Sequence, residues 1–331
     1  TGRPPEAARF LAVALLWARV AGFPLSWKKT ECGKSLRWIG AQVTVEADAI
    51  MVSIPEDKGQ ELVTATRSLL GSNVCGARRL RSFAGLVSFY AGLIPFLRPF
   101  LSGIWAVLPH HSEDTTYKSR WIHTKRIRTP LLWLHAFFSS LTGNLVRRYP
   151  FVGRSVHRYT IVTDASPWGI GGVLYLKSAA VAYFSDKLHL CDLNRFRARI
   201  GESAFTTVWE SLAILVALRL WRPLFTYVDA VGVRSDSHGS RSALASLSTS
   251  SASLNLIVCE IALDSALSDC ALSHLTHIPG VSNTVADALS RVYSPDPKPW
   301  PRELDTAVRC EPPRRTGKFY IPRSPPGDPA K

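Results

Sequence analysis

The chain has 331 residues, of which 46% are hydrophobic and 20% are charged, a composition typical of globular proteins. Its 40 Lys and Arg outnumber its 25 Asp and Glu, which gives a formal net charge of +15. The length exceeds what one hydrophobic core usually serves, so we expect two or more domains. The six cysteines form no C-x-x-C pair, which argues against structural zinc and a disulfide framework and predicts a reducing, intracellular setting, cytoplasmic or nuclear.

The N-terminal apolar stretch is too short for a membrane anchor. It extends from Phe10 to Leu25, contains Arg19, and falls below the roughly 20 residues that span a bilayer. We therefore expect an amphipathic core helix there. Because the chain begins at Thr1 and its one methionine is Met51, we also expect it to be a piece of a longer protein.

The positive charge is unevenly distributed along the chain. Residues 1–150 contain 20 Lys and Arg but 9 Asp and Glu, whereas residues 151–292 contain 12 and 11. A basic block beside a nearly neutral block with clustered acids suggests a nucleic-acid-binding surface next to a metal-dependent site. A solvated basic surface without a partner is the alternative.

The first 156 residues have mainly helical periodicity. The pattern predicts helices over 6–21, 55–70 and 75–93, one or two more within 117–142, and strands near 36–43 and 50–54. The helix that begins near residue 75 carries Arg78, Arg79 and Arg81 in its first turns. With Lys58 of the preceding helix, these residues are candidates for contacts to nucleic-acid phosphates. An Arg-rich helix start is more often solvated surface, and that alternative stays open.

From about residue 157, strands predominate and the elements follow the order βββαβα(α)βα. This order predicts a mixed α/β fold in which a mixed sheet carries helices on its faces. The strands are expected at 159–163, 173–176, 180–185, 230–235 and 271–277, and the helices at 205–220, 241–247, 254–267 and from 283 onward.

Four acids fall at the ends or on the faces of these elements. Asp164 ends the first strand and Asp236 ends the fourth, so neighbouring strands would bring the two together. Glu210 begins an otherwise apolar helix face, where a buried Glu is rare without a partner. Asp287 lies in the first turns of the last helix.

Converging carboxylates repel one another unless cations neutralise them, and oxygen ligands without His or Cys favour Mg²⁺ or Mn²⁺ over zinc. Two such ions about 3.5–4 Å apart can activate water and stabilise the leaving oxygen in phosphodiester hydrolysis. Each acid alone also has a structural interpretation. Asp164 could close a turn, and Glu210 could be an acid near a helix N-terminus that the helix dipole stabilises. Asp236 could cap the next helix, and Asp287 could form a surface pair with Arg291. Together, in this element order, the four predict metal-assisted phosphodiester hydrolysis.

These motifs resemble the reverse transcriptase and ribonuclease H segment of retrotransposon polyproteins, of the gypsy-like or DIRS-like kind. The similar stretches in the second half are TDAS at 163–166 with WGIGG at 168–172, the helix from Glu210 to Trp221, SDS at 235–237, and HIPG at 277–280 leading to ADALSR at 286–291. In the first half, residues 24–40 are similar to the end of a polymerase palm, and residues 80–95 to a thumb helix.

The resemblance implies a domain organisation. It comprises a palm remnant at 1–54, a thumb-like helical region at 55–110, connection helices at 111–156, a ribonuclease H domain at 157–293 and a tail at 294–331. The ribonuclease H-like fold implies a five-stranded mixed sheet with flanking helices. The tail holds 10 of the chain's 22 prolines, so we expect a disordered linker there.

The resemblance also implies an activity, in which Asp164, Glu210, Asp236 and Asp287 are catalytic and hold two Mg²⁺ ions. The substrate would be the RNA strand of an RNA/DNA hybrid, gripped along its backbone and recognised by its 2′-hydroxyls. No membrane partner is expected, and the candidate protein partners are the missing polymerase half or other domains of the polyprotein. The alternatives are a decayed element acting as a basic nucleic-acid-binding module, or another nuclease or integrase of the same superfold.

Two features depart from the family pattern. The chain has no Asp-Asp pair, so the polymerase motif is absent and this chain alone is not expected to polymerise DNA. Val281 stands in the loop where cellular ribonucleases H have a histidine. His277 precedes this loop, and we expect it to have a structural role.

Overall fold

The computed structural model describes residues 4–29, 31–108, 121–141, 145–151, 159–225, 231–267, 272–316 and 319–320. The chain divides into two compact units. One comprises Thr1–Pro55 and Val146–Gly153, and the other Glu56–Leu145 and Arg154–Lys331.

The described residues form ten α-helices and twelve β-strands. The helices are α1 Pro4–Val20, α2 Glu56–Leu70, α3 Ala77–Leu93, α4 Arg98–Trp105, α5 Arg128–Phe138, α6 Leu190–Phe196, α7 Thr206–Trp221, α8 His238–Ser246, α9 Ala252–Leu267 and α10 Thr284–Ser290. The strands are β1 Ser35–Trp38, β2 Ala41–Val45, β3 Ala49–Ser53, β4 Val74–Gly76, β5 Trp121–His123, β6 Val146–Pro150, β7 Tyr159–Ala165, β8 Gly169–Leu176, β9 Ala179–Lys187, β10 Val231–Ser235, β11 Leu272–His277 and β12 Val308–Arg309.

The first unit contains an antiparallel sheet of order β1-β2-β3-β6. The sequence predicted one strand over 36–43, but the structure has two. Ile39 and Gly40 adopt φ of 45° and 75°, which makes the tight turn that joins β1 to β2. The strand β6 lies within the segment predicted as connection helices, of which α5 is the helical part that the structure describes.

The helix α1 is present as predicted, but it is not a core helix. The side chains of Phe10, Leu16 and Trp17 are 74%, 61% and 68% exposed. The expectation of burial is therefore wrong for the structure described here. Apolar periodicity indicates that a helix has an apolar face, but it does not show whether another element packs on that face.

The second unit begins with helices that pack around their own apolar core. The helix α2 packs on α5, and α3 on α4, with Leu80, Ile104 and Phe137 fully buried. This helical part also contacts α9, because Asn255 Nδ2 donates a hydrogen bond to the carbonyl oxygen of Pro99 at 3.1 Å. The helices of 56–145 and the sheet that follows therefore belong to one compact unit.

The large sheet of the second unit is mixed and has the order β11-β10-β7-β8-β9-β12. The strands β7, β8 and β9 form an antiparallel meander, whereas β10 is parallel to both β7 and β11. The predicted mixed α/β class is confirmed. The sheet has six strands instead of the predicted five because β12, from the Pro-rich tail, pairs in parallel with β9.

The helix α7 is the centre of the core. It packs against β7, β8 and α9, and Trp209, Ile214 and Trp221 are at most 1% exposed. The segment Ser203–Leu224 that contains it is long and apolar enough to cross a membrane by composition, with half of its apolar window buried inside the protein. Burial between a sheet and a second helix accounts for this apolar composition.

The tail differs from the predicted disordered linker. Leu304 is 2% exposed and packs with Val173, Val285 and Leu289, and the side chain of Arg315 is fully buried. Prolines prevent the tail from forming a core helix, but an extended segment between them can still add the short strand β12 and dock its apolar and charged side chains. Residues 321–331 lie outside the described residues.

Candidate active site

Two of the four predicted acids lie at one edge of the large sheet. Asp164 is the second-to-last residue of β7, and Asp236 directly follows β10. The two strands are parallel, and their register ends with Arg234 opposite Val162. Asp236 and Asp164 each lie two residues beyond that pair, so both carboxylates leave the sheet at the same edge.

The third acid reaches this edge from a helix. Glu210 lies near the start of α7, which packs on β7 and β8. Ser237 and Ser235 donate hydrogen bonds to its carboxylate. Among the residues that the structure describes, its Oε2 atom and the Oδ1 atom of Asp236 are buried and have no hydrogen-bond partner.

The helix α10, which carries the fourth acid, lies directly on β8. A Cβ atom at Gly171 would lie 2.5 Å from Leu289 Cβ and 2.7 Å from Ser290 N, so only glycine permits this approach. Ser166 Oγ donates to the Ser290 carbonyl and Ser185 Oγ to the Leu289 carbonyl, both at 2.7 Å. These contacts fix α10 beside the end of β7, which carries Asp164.

The loop before α10 closes over the same edge. Asn283 Nδ2 donates to the carbonyl oxygen of Thr163 at 3.2 Å. A Cβ atom at Gly280 would lie 3.2 Å from Asp236 Oδ2, so the loop backbone lies against that carboxylate. The HIPG and ADALSR motifs thus hold the loop and the helix at the acids.

Asp164 is buried, and 7% of the residue is exposed. Burial raises its pKa from 3.8 to about 7, against a hydrogen bond from Ser290, while repulsion from Asp236 and Asp287 raises it further. That hydrogen bond runs from Ser290 Oγ to Asp164 Oδ2 at 2.8 Å. The ionised form of Asp164 is therefore short of a compensating positive charge.

Glu210 shows the same effect. Burial raises its pKa from 4.5 to about 7, the hydrogen bond from Ser237 opposes the rise, and repulsion from Asp236 and Asp164 adds to it. Two carboxyls at the same sheet edge thus have raised pKa values for the same two reasons, desolvation and the charge of their neighbours.

Asp287 is in a different state because two cations hold it. Arg291 Nε donates to its Oδ1 at 2.6 Å, and Lys298 Nζ donates to its Oδ2. Burial alone would raise the pKa of Asp287, but the hydrogen bonds from Lys298 and Arg291 hold it below its ordinary value. The pairing with Arg291 was the structural interpretation of this residue. Lys298 was missed, because it lies in a Pro-rich segment with no signal of packing.

The four acids lie close enough to repel one another, but their side chains are not arranged to coordinate a metal ion together. Repulsion links Asp164 to Asp236 and Asp287, and Glu210 to Asp164 and Asp236. Within the part of the chain that the structure describes, no group of three or more His, Cys, Asp or Glu side chains has the spacing to hold a metal ion. The donor chemistry nevertheless fits a divalent cation, since the unpaired buried oxygens are hard ligands.

The residues predicted to contact nucleic acid lie on α2 and α3, and they differ in exposure. Arg78 and Arg79 are exposed, whereas Arg81 and Lys58 are partly buried. Lys58 Nζ pairs with Glu61 Oε2 at 2.6 Å.

Arg79 borders a groove along α2. The groove has a volume of about 520 Å³, and its lining includes Asp57 and Glu61 beside Arg79. Arg79 Nη2 donates to Ser68 Oγ at 2.7 Å. With two acids in its wall, the groove itself is poorly suited to a phosphate, and the exposed side of the first turn of α3 is the better candidate surface.

Two histidines lie beside Asp236. His277 ends β11 opposite Ser235 of β10, and its ring centroid is 5.1 Å from that of His238, the first residue of α8. Both side chains are exposed. Val281, which stands where the sequence comparison with cellular ribonucleases H predicted the histidine position, is 88% exposed on the loop before α10. His238 was not singled out from the sequence, since only the register of β10 and β11 brings the pair together.

No protein-family model matches the chain, and no curated protein matches it. Among solved structures, the chain has a distant structural resemblance to the foamy viral protease-reverse transcriptase in complex with RNA/DNA hybrid. The sequence identity is 13%, the TM-score is 0.31, and the match covers 91% of this chain. The chain spans 37% of the foamy viral chain. A superposition this loose assigns neither a family nor a substrate.

Proposed function

We propose that the second half of this chain is a ribonuclease H-like domain that hydrolyses the RNA strand of RNA/DNA hybrids with Mg²⁺. One observation carries the proposal: Asp164 and Asp236 end adjacent parallel strands, and α7 and α10 bring Glu210 and Asp287 to the same edge. The strand order of the meander plus two parallel strands supports the same fold.

The rest of the chain fits a reverse transcriptase segment of a retrotransposon polyprotein. In this proposal, residues 1–54 are the end of a palm, 55–110 a thumb and 111–156 a connection, and the polymerase active site lies outside this chain. The helices α2, α3 and α4 support the thumb assignment by their positions in the sequence.

The residues have separable roles. Asp164, Glu210 and Asp236 would hold the cation through carboxylate oxygens, and Asp287 would join them on leaving Lys298. Ser290 orients Asp164 by donating to its Oδ2 atom. The bound metal would supply activation of water and stabilisation of the leaving oxygen. The basic surface at Arg78 would contact phosphates, and 2′-hydroxyl contacts would select the RNA strand.

The test is cleavage of a labelled RNA/DNA hybrid by the full chain in Mg²⁺. We expect Asp164→Asn to reduce the rate by about 10²-fold or more, because a lost ligand removes charge stabilisation worth several kcal/mol. Asp305→Asn, at an exposed site in the tail, is the matched control and should cleave like the wild type. No cleavage by the wild type, or equal cleavage by Asp164→Asn, contradicts the proposal.

A second function is a basic hybrid-binding module without catalysis. It is favoured by the pairing of Asp287 with both Arg291 and Lys298 and by the absence, among described residues, of three acids spaced for a metal. The same assay separates the two functions, since a binding module retains the hybrid in a gel-shift experiment and leaves the RNA intact.

A further inference from the structure

The segment of residues 294–320, here named the strap, folds back along the large sheet. Its strand β12 pairs with β9, and Cys310 N donates to the Tyr183 carbonyl at 2.8 Å. Trp300 meets the Tyr183 ring edge to face, with centroids 5.5 Å apart. The strap is therefore attached along the edge of the sheet formed by β9.

A buried ion cluster anchors the far end of the strap. Arg315 Nε donates to Asp192 Oδ2 at 2.8 Å, and Nη1 donates to Asp186 Oδ2 at 2.6 Å. The side chains of Arg315 and Asp192 are both fully buried. Tyr320 also donates its hydroxyl to Asp192. A buried Arg with these partners fixes the strap, because releasing it would take the guanidinium away from two carboxylates.

The near end of the strap lies at the acids. Ser294 N donates to the Arg291 carbonyl at 2.9 Å, which keeps the chain close to the end of α10. Between this contact and Trp300, Lys298 is directed back to Asp287. The side chain of Asp287 is 16% exposed, and its two carboxylate oxygens are occupied by Arg291 and Lys298.

We propose that Lys298 is a tethered cation that competes with a divalent metal ion for Asp287, so that the strap sets the metal affinity of the carboxylate cluster. This inference rests on the proposed function, because it assumes that the acids bind a metal ion. An ammonium on Asp287 Oδ2 occupies an oxygen that a metal would use, and it repels a divalent ion nearby. Anchors on both sides hold the ammonium at a high effective concentration.

The competing role for Lys298 is contact with a substrate phosphate. In that case, removal of the ammonium would weaken binding of the hybrid and leave binding of the metal alone unchanged. Metal binding without substrate therefore discriminates between the two roles, and it does not depend on catalysis.

The experiment is Mn²⁺ binding to the full chain by electron paramagnetic resonance, without nucleic acid. We expect Lys298→Met to lower the Mn²⁺ dissociation constant about twofold to fivefold, the range that a half-exposed ion pair of up to about 1 kcal/mol allows. Lys298→Arg keeps the charge and should bind like the wild type. Lys125→Met, at an exposed site remote in sequence, is the matched control and should also be unchanged.

The outcomes separate this inference from the proposed function. Equal or weaker Mn²⁺ binding by Lys298→Met, with binding intact in the wild type, overturns the competition alone. If none of the proteins binds Mn²⁺, the proposed function falls together with the competition. The unfolding temperature in EDTA, which we expect Lys298→Met to leave nearly unchanged, verifies that the variants are folded.

Discussion

At the residue scale, the four carboxyls differ in the charges of their neighbours. Asp164 and Glu210 have raised pKa values because they are buried beside other acids, whereas Asp287 is held ionised by Arg291 and Lys298. The positions of all four acids could be predicted, because each follows a strand or begins a helix face. Their charge states could not, since these depend on burial and on Lys298, which the sequence does not link to Asp287.

The raised pKa values predict a pH dependence of stability in metal-free protein. The folded pKa of Asp164 is about 7 against 3.8 for an ordinary Asp, so between these values the folded state binds more protons than the unfolded state. Its contribution to the free energy of unfolding therefore falls as pH rises from about 4 to about 7. Glu210 contributes with the same sign.

The measurement is urea unfolding in EDTA between pH 4 and pH 8, for the wild type and Asp164→Asn. We expect the stability of the wild type relative to the variant to decline as pH rises through this window. Added Mg²⁺ should restore much of the loss at pH 8, because a cation compensates the ionised carboxylates. A difference between the two proteins that does not vary with pH would show that Asp164 ionises without cost.

At the element scale, periodicity predicted most helices and strands, and their ends lie close to those observed. It failed where long-range contacts decide the outcome. The helix α1 has an apolar face that no described element covers, and the strap contributes β12 to a sheet despite its prolines. Neither the exposure of α1 nor the pairing of β12 leaves a local signal in the sequence, because both depend on segments far away in the chain.

The seating of α10 on β8 gives a prediction at this scale. Gly171→Ala should lower the free energy of unfolding by about 1–3 kcal/mol, because the new Cβ would overlap Leu289 and Ser290. Gly85→Ala, within α3 where no atom lies within 4 Å of the added Cβ, is the matched control and should be neutral or stabilising. Urea unfolding measures both, and equal effects would argue against close packing of α10.

The buried ion cluster that anchors the strap gives a second prediction about stability. Arg315→Met should lower the free energy of unfolding by about 3–5 kcal/mol, since it leaves Asp192 and Asp186 without their buried partner. Arg314→Met, at the exposed neighbouring residue, should change it by no more than about 0.5 kcal/mol. Thermal or urea unfolding of the two variants provides the comparison. If Arg315→Met is as stable as Arg314→Met, the strap is not anchored through this cluster.

At the scale of the whole molecule, the net charge of +15 conceals a division. The surplus belongs to residues 1–150, whereas residues 151–292, which contain the four acids, are nearly neutral. A polyanionic substrate held by the first part and cut by the second would account for this partition. The sequence could predict the division because it depends only on composition, but it could not predict that 56–145 and 154–331 form one compact unit.

The proposed ribonuclease activity requires the carboxylate cluster to bind metal ions. The most direct test is anomalous scattering from crystals of the full chain grown with MnCl₂. We expect a manganese peak with Asp164, Glu210 and Asp236 as ligands, and these carboxylates closer together than in the present structure. Absence of a peak at this edge of the sheet, with Mn²⁺ present in excess, would contradict it.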